Sequence, residues 1–100
     1  MIILSADKKT VVNTDYVTKV YTGGESLSIR CNLAHGEGSE LARYSNTNIV
    51  KYVLESLAIA MSHEDSYYYF PSEAEAMEKL NAAKMSRSHV KTEKNRHGGS

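Results

Sequence analysis

Cys31 is the only cysteine of the chain, and His35, His63, His89 and His97 are its histidines. Nucleophilic catalysis would need the Cys31 thiol, or a serine hydroxyl, beside a histidine base. Leu27, Ile29, Cys31 and Leu33 alternate with Ser28, Arg30 and Asn32. That period of two puts the thiol on the apolar face of a strand, where it is inert core. His35-Gly36-Glu37-Gly38 has the glycines of a phosphate loop, but no Lys-Ser/Thr pair follows and no βαβ unit precedes it. Metal-ligand spacing of the C-x-x-C or H-x-x-x-H kind does not occur. Glu64-Asp65 pairs two carboxylates as chain neighbours, which does not define a cleft for acid–base work. The expectation is a protein with no catalytic residue, no cofactor and no metal.

Binding chemistry is better represented. Tyr67-Tyr68-Tyr69-Phe70 places four aromatic rings in succession. Tyrosine offers a large rigid contact area with a polar tip, the chemistry enriched at interface hot spots. In an extended segment Tyr67 and Tyr69 share one face, and so small a domain has difficulty burying all four rings. Tyr67 and Tyr69 are therefore the leading partner-binding candidates. Arg30, on the wet face of its strand, and Glu64 and Asp65, just ahead of the aromatic run, join them. A second candidate surface is the basic tail: Lys84, Arg87, Lys91, Lys94 and Arg96 could contact nucleic acid phosphates. No aromatic residue is interleaved among these cations, so the stacking platform of a single-strand binder is missing.

Charge is distributed unevenly. The formal net charge is zero, yet residues 1–80 carry seven Lys/Arg against eleven Asp/Glu, and residues 81–100 carry five against one. An acidic body and a basic tail average to neutrality. The body's surplus of four acids is weak for a mimic of nucleic acid and reads as a solvated surface. A single cysteine rules out a disulfide within the chain and fits a reducing cytoplasm. No apolar run approaches the roughly 20 residues of a membrane span, and Met1-Ile2-Ile3-Leu4 is too short for a secretory signal.

The elements that must position these residues follow from pattern. Ile2 to Leu4 and Thr10 to Val12 read as a hairpin of short strands around Ala6-Asp7-Lys8-Lys9. Tyr16 to Thr22 is β-branched and aromatic, hence a strand. Gly23-Gly24-Glu25 reads as the tight turn into the alternating strand 27–33. Glu40 to Tyr44 is a further strand. Ile49, Val50, Val53, Leu54, Leu57 and Met61 recur at helical spacing after a cap at Asn46 or Thr47. The aromatic run is a strand stopped by Pro71. Ser72 to Glu75 forms a capping box for a helix that sets Ala74, Met77, Leu80 and Ala83 or Lys84 on one face and ends near Met85.

Strands in a run followed by grouped helices indicate an α+β fold. The expected architecture is one antiparallel sheet of five or six strands with two helices, in the order ββββ(β)αβα. Residues 1–85 form a single domain, and residues 86–100 form a basic disordered tail.

The opening Met1-Ile2-Ile3-Leu4-Ser5-Ala6-Asp7-Lys8-Lys9-Thr10-Val11-Val12-Asn13 resembles the start of small accessory proteins encoded in phages and prophages of Gram-positive bacteria. The resemblance continues through a strand hairpin, a Tyr-Ser-Asn-Thr stretch entering a helix (Tyr44 to Ser62) and a tyrosine-rich strand ending in Pro71. It covers residues 1–71 and transfers no catalytic or binding residue. It implies a cytoplasmic protein of the host cell that binds and disables a host factor, such as a CRISPR nuclease or another defence protein. Two other readings stand beside it: a nucleic-acid or nucleotide binder using Arg30 and the tail, and a small homo-oligomer, a homodimer in the simplest case, serving as a phage structural or accessory component.

Overall fold

The computed structural model describes the backbone of residues 1–36 and 38–98, and the side chains of 1–36 and 38–85. Ile2–Leu4 forms β1 and Val11–Asn13 forms β2, paired antiparallel as expected. Their connection is built on Ser5, which is 2% exposed. Its hydroxyl donates to Asp7 Oδ1 at 2.6 Å and accepts from the Thr10 N–H at 3.0 Å. The Ser5 hydroxyl, followed by the Lys9 N–H, holds the Asp7 carboxyl below its usual range.

A 3-10 turn, Thr14–Tyr16, leads into β3 (Val17–Gly23), then β4 (Ser28–Leu33) and β5 (Gly38–Arg43). Helix α1 covers Thr47–Ser62, strand β6 Tyr67–Tyr69 and helix α2 Glu73–Gly98. Asn46 is the α1 N-cap, its side chain accepting from the Asn48 N–H at 2.7 Å.

The fold is α+β with two helices and six strands in the expected order, but the single antiparallel sheet is corrected. There are two three-stranded sheets, β2-β1-β6 and β3-β4-β5. In the first, β6 runs parallel to β1, with Ile3 opposite Tyr68. The reason is the crossover: α1 carries the chain across the molecule before β6, so β6 arrives in the direction of β1, which a hairpin could not achieve.

The core lies between the sheets and α1. Ile3, Ile29, Cys31 and Val53 have no exposed surface, and Leu41, Ile49, Val50 and Leu57 are almost as deeply buried. Phe70 enters the same core, edge-on to the Tyr68 ring at 5.3 Å. Met61, expected on the buried stripe of α1, is 47% exposed at the end of the helix.

The inner face of α2 is also corrected. Ala76 is fully buried and Leu80 packs on the core, whereas Met77 is 41% exposed. The cause lies at the helix start. Glu73 accepts from the Ser45 N–H at 2.7 Å and the Ser45 hydroxyl at 2.9 Å. That clamp turns Ala76 and Leu80, spaced i and i+4, toward α1. Half of the expected capping box forms: the Glu75 N–H donates to Ser72 Oγ at 3.2 Å. The Glu75 carboxylate instead accepts from the Tyr69 hydroxyl. The backbone of α2 continues past Met85 to Gly98, with no proline or glycine to interrupt Glu73 to His97. The helix end expected near Met85 is thereby corrected; of the expected basic disordered tail at 86–100, the side chains, and residues 99–100 altogether, lie outside the described residues.

Candidate functional site

Period two along a strand and register across strands together decide which side chains share a face. In β2-β1-β6, Ile2 lies opposite Asn13 and Tyr67, Ile3 opposite Val12 and Tyr68, and Leu4 opposite Val11 and Tyr69. The middle row faces the core: Ile3 is 0% and Val12 8% exposed. The two outer rows therefore form the opposite face. Ile2 is 39%, Val11 62%, Tyr67 52% and Tyr69 41% exposed on it. Leu4 is half-buried between Val11 and Tyr69. An apolar and aromatic patch thus covers the side of a sheet on which an antiparallel hairpin ordinarily carries polar residues.

The rings are organised. Tyr67 and Tyr69 are 6.3 Å apart between centroids and tilted by 31°. Tyr69 is fixed by its hydroxyl, which donates to Glu75 Oε2 at 3.2 Å, and by Lys79 Nζ at 5.6 Å from its ring centre. Among the described residues the Tyr67 hydroxyl has no hydrogen-bond partner. A depression of about 570 Å3 adjoins the patch, lined by Leu4, Lys8, Tyr67, Tyr69 and Glu75 among others. The patch thus has an apolar centre with charged groups, Lys8 and Glu75, at its margin.

The other two tyrosines of the corner are structural. Tyr68 turns inward and its hydroxyl reaches Val53 O at 3.4 Å. Burial first, then Tyr52 and Tyr69, push its phenol up to about 12. Tyr44 is 3% exposed and donates to Pro71 O at 2.8 Å. Its phenol is raised further still, mainly by burial.

The remaining candidates lie apart from this face. Arg30 is on the outer surface of β3-β4-β5, 3.7 Å from Glu40, which also binds Arg43 at 2.8 Å. Glu64 and Asp65 are exposed in the turn between α1 and β6. Glu64 adopts φ 59, a left-handed conformation at the end of the helix. Lys84 is exposed and lines a groove between α1 and α2. The side chains of Arg87, Lys91, Lys94 and Arg96 are outside the described residues.

Cys31 is fully buried, and desolvation raises its thiol, the reverse of what a nucleophile requires. His35 stacks on Tyr16 with centroids 6.4 Å apart. Among the described residues no three His, Cys, Asp or Glu side chains converge as a metal site. Among the same residues no helix is long and apolar enough to cross a membrane.

Of the residues on this exposed face, Tyr67 and Tyr69 were expected from sequence, and Ile2, Leu4 and Val11 were not. The signal was present: three short strands are apolar at consecutive positions, which leaves each strand an apolar outer face. No protein-family model, curated protein or solved structure matches the chain.

Proposed function

We propose that this chain is a non-catalytic binding protein of phage or prophage origin that inhibits a host factor, such as a CRISPR nuclease or another defence protein, by docking through the outer face of β2-β1-β6. The observation that carries the reading is the sharing of one open face by Ile2, Val11, Tyr67 and Tyr69. Uncovered apolar area of this kind favours association, and the tyrosines along its β6 edge supply rigid anchors. The resemblance of residues 1–71 to phage accessory proteins supports the choice of a host protein as the partner.

The test is phage plating on a Gram-positive host whose CRISPR system targets that phage. Expression of the chain is expected to restore plaques. The double variant Tyr67→Ala/Tyr69→Ala, checked as folded by circular dichroism, is expected to abolish the rescue. Absence of rescue by the parent chain removes the CRISPR nuclease as the target, and equal rescue by the double variant overturns docking through this face.

A homodimer through the same face is the second reading, favoured by the same apolar area; light scattering that returned a monomer at high concentration would remove it. Nucleic-acid binding through Arg30 has less support, because Glu40 engages both Arg30 and Arg43.

A further inference from the structure

Strand β3 has seven residues and pairs on one side only, with β4. Ala34 donates its N–H to Tyr16 O at 2.8 Å, and Tyr44 donates to Leu27 O on the other side of β4. With the extra residue at the Val17/Lys19 bulge, the alternation of the ladder turns Tyr21 and Gly23 toward β4. It leaves the N–H and C=O of Val20 and Thr22 directed at the open side. Among the described residues neither has a backbone partner there. An unpaired edge of this length is a template for another strand.

A groove of about 310 Å3 runs beside that edge, walled by Val17 and Val20 from β3 and by Leu54, Leu57, Ala58 and Met61 from α1. A strand added to β3 would turn every second side chain into this apolar space. Its alternate side chains would extend the outer surface of the sheet, where Tyr21, Arg30 and Glu40 stand in register. Among the described residues that surface holds the cations Lys19, Arg30 and Arg43 and the carboxylate Glu40, which is taken up by the two arginines. Lys19, nearest the open edge, rests its Nζ 4.9 Å from the Tyr21 ring centre. Among the described residues it has no carboxylate partner.

We propose that the open edge of β3 and the groove beneath α1 receive an extended peptide segment of a partner protein, whose residues alternate between apolar side chains facing Val20, Leu54 and Met61 and acidic side chains facing Lys19. Main-chain bonds to Val20 and Thr22 supply affinity, and the two faces supply specificity. This surface is separate from the tyrosine face and does not rest on the function proposed above.

The probe is a fluorescein-labelled peptide of about seven residues, the length of β3, alternating valine and glutamate. It is titrated into the full chain by anisotropy up to about 1 mM, beside a valine–lysine counterpart. Hydrogen exchange is followed by NMR in the same samples. The valine–glutamate peptide is expected to bind and to slow exchange of the Val20 and Thr22 amides about tenfold or more. Lys19→Glu is expected to weaken it about tenfold and to favour the lysine counterpart. Ala58→Trp, at an exposed helical position, fills the groove and is expected to abolish binding with the circular dichroism unchanged. Tyr67→Ala/Tyr69→Ala leaves binding intact. The proposal is overturned by no binding, by equal binding of both peptides, or by slowed exchange in β2 or β6 with none at Val20 and Thr22.

Discussion

The Tyr44 hydroxyl donates a 2.8 Å hydrogen bond to the Pro71 carbonyl oxygen, joining two corners of the chain that are 27 residues apart. One corner leads from β5 into α1, the other from β6 into α2. Both residues are buried, so the carbonyl cannot turn to water instead. The Glu73–Ser45 clamp lies at the same junction, so the position of α2 depends on this corner.

Tyr44→Phe keeps the ring and removes the donor. An unpaired buried carbonyl costs about 1–3 kcal/mol. The variant should unfold at a correspondingly lower urea midpoint with an unchanged m-value. The docking proposed for the tyrosine face should persist under conditions where the variant is folded. An unchanged midpoint would show that Pro71 O finds another donor.

Alkaline pH should act on the same corner. Tyr44 and Tyr68 both titrate above the ordinary tyrosine value of 10.0, Tyr68 at about 12. The unfolded chain therefore releases these protons first. Their contribution is fully present below pH 10 and is lost as pH rises through the folded-state values. Urea midpoints measured from pH 8 upward should begin to decline near pH 9.0, the ordinary value of the thiol that burial raises at Cys31, and fall more steeply above pH 10. Tyr44→Phe should show a shallower fall, since one of the two phenols is gone.

Glu64 is costly where it stands. It holds φ 59, and it places a carboxylate at the negative end of the α1 dipole. Glycine is the residue best suited to a left-handed position after a helix. Glu64→Gly should raise stability by about 0.5–1 kcal/mol, read as a higher melting temperature. The same variant separates folding from binding. A partner contact by Glu64 would appear as weakened rescue in the plating assay despite the stabilised fold.

The elements that depend on local pattern were legible in the sequence. The Asn46 cap, the Ile49 to Leu57 stripe and the alternation at Ile29 and Cys31 are all stated within a few residues of chain. What depends on distant neighbours was not legible. Gly23 and Gly24 predict a turn at themselves, yet the positive φ values at the tip include Glu25 (53) and Ser26 (64). Gly23 instead ends β3, where a Cβ would lie 2.7 Å from Arg30 Cδ, so a larger residue there would require the arginine side chain to move. The parallel pairing of β6 with β1, and with it the union of Ile2, Val11 and Tyr67 on one face, joins segments more than 50 residues apart. No local period encodes that register.

The turn offers a direct correction of its own strain. Left-handed φ at both central residues suits Asn-Gly rather than Glu-Ser. Glu25→Asn with Ser26→Gly should stabilise the protein by about 1 kcal/mol, measured by urea unfolding. A loss of stability would mean that Glu25 or Ser26 makes a favourable contact that outweighs the backbone cost.

Val11 and Val12 test the open face most sharply, because they are the same residue type one position apart. Val11 is 62% exposed on the outer face, and Val12 is 8% exposed in the core. Lysine at position 11 keeps its ammonium in water and sits on an edge strand, where lysine is well tolerated. Val11→Lys should change stability by no more than about 0.5 kcal/mol and should eliminate the proposed docking, since it would put a hydrated charge in that apolar contact. Val12→Lys buries that charge without a partner and should cost about 3 kcal/mol or more. Urea unfolding of both variants decides the matter. Equal destabilisation would mean that Val11 is covered in the folded chain, leaving Tyr67 and Tyr69 without the apolar surround on which the proposed docking face rests.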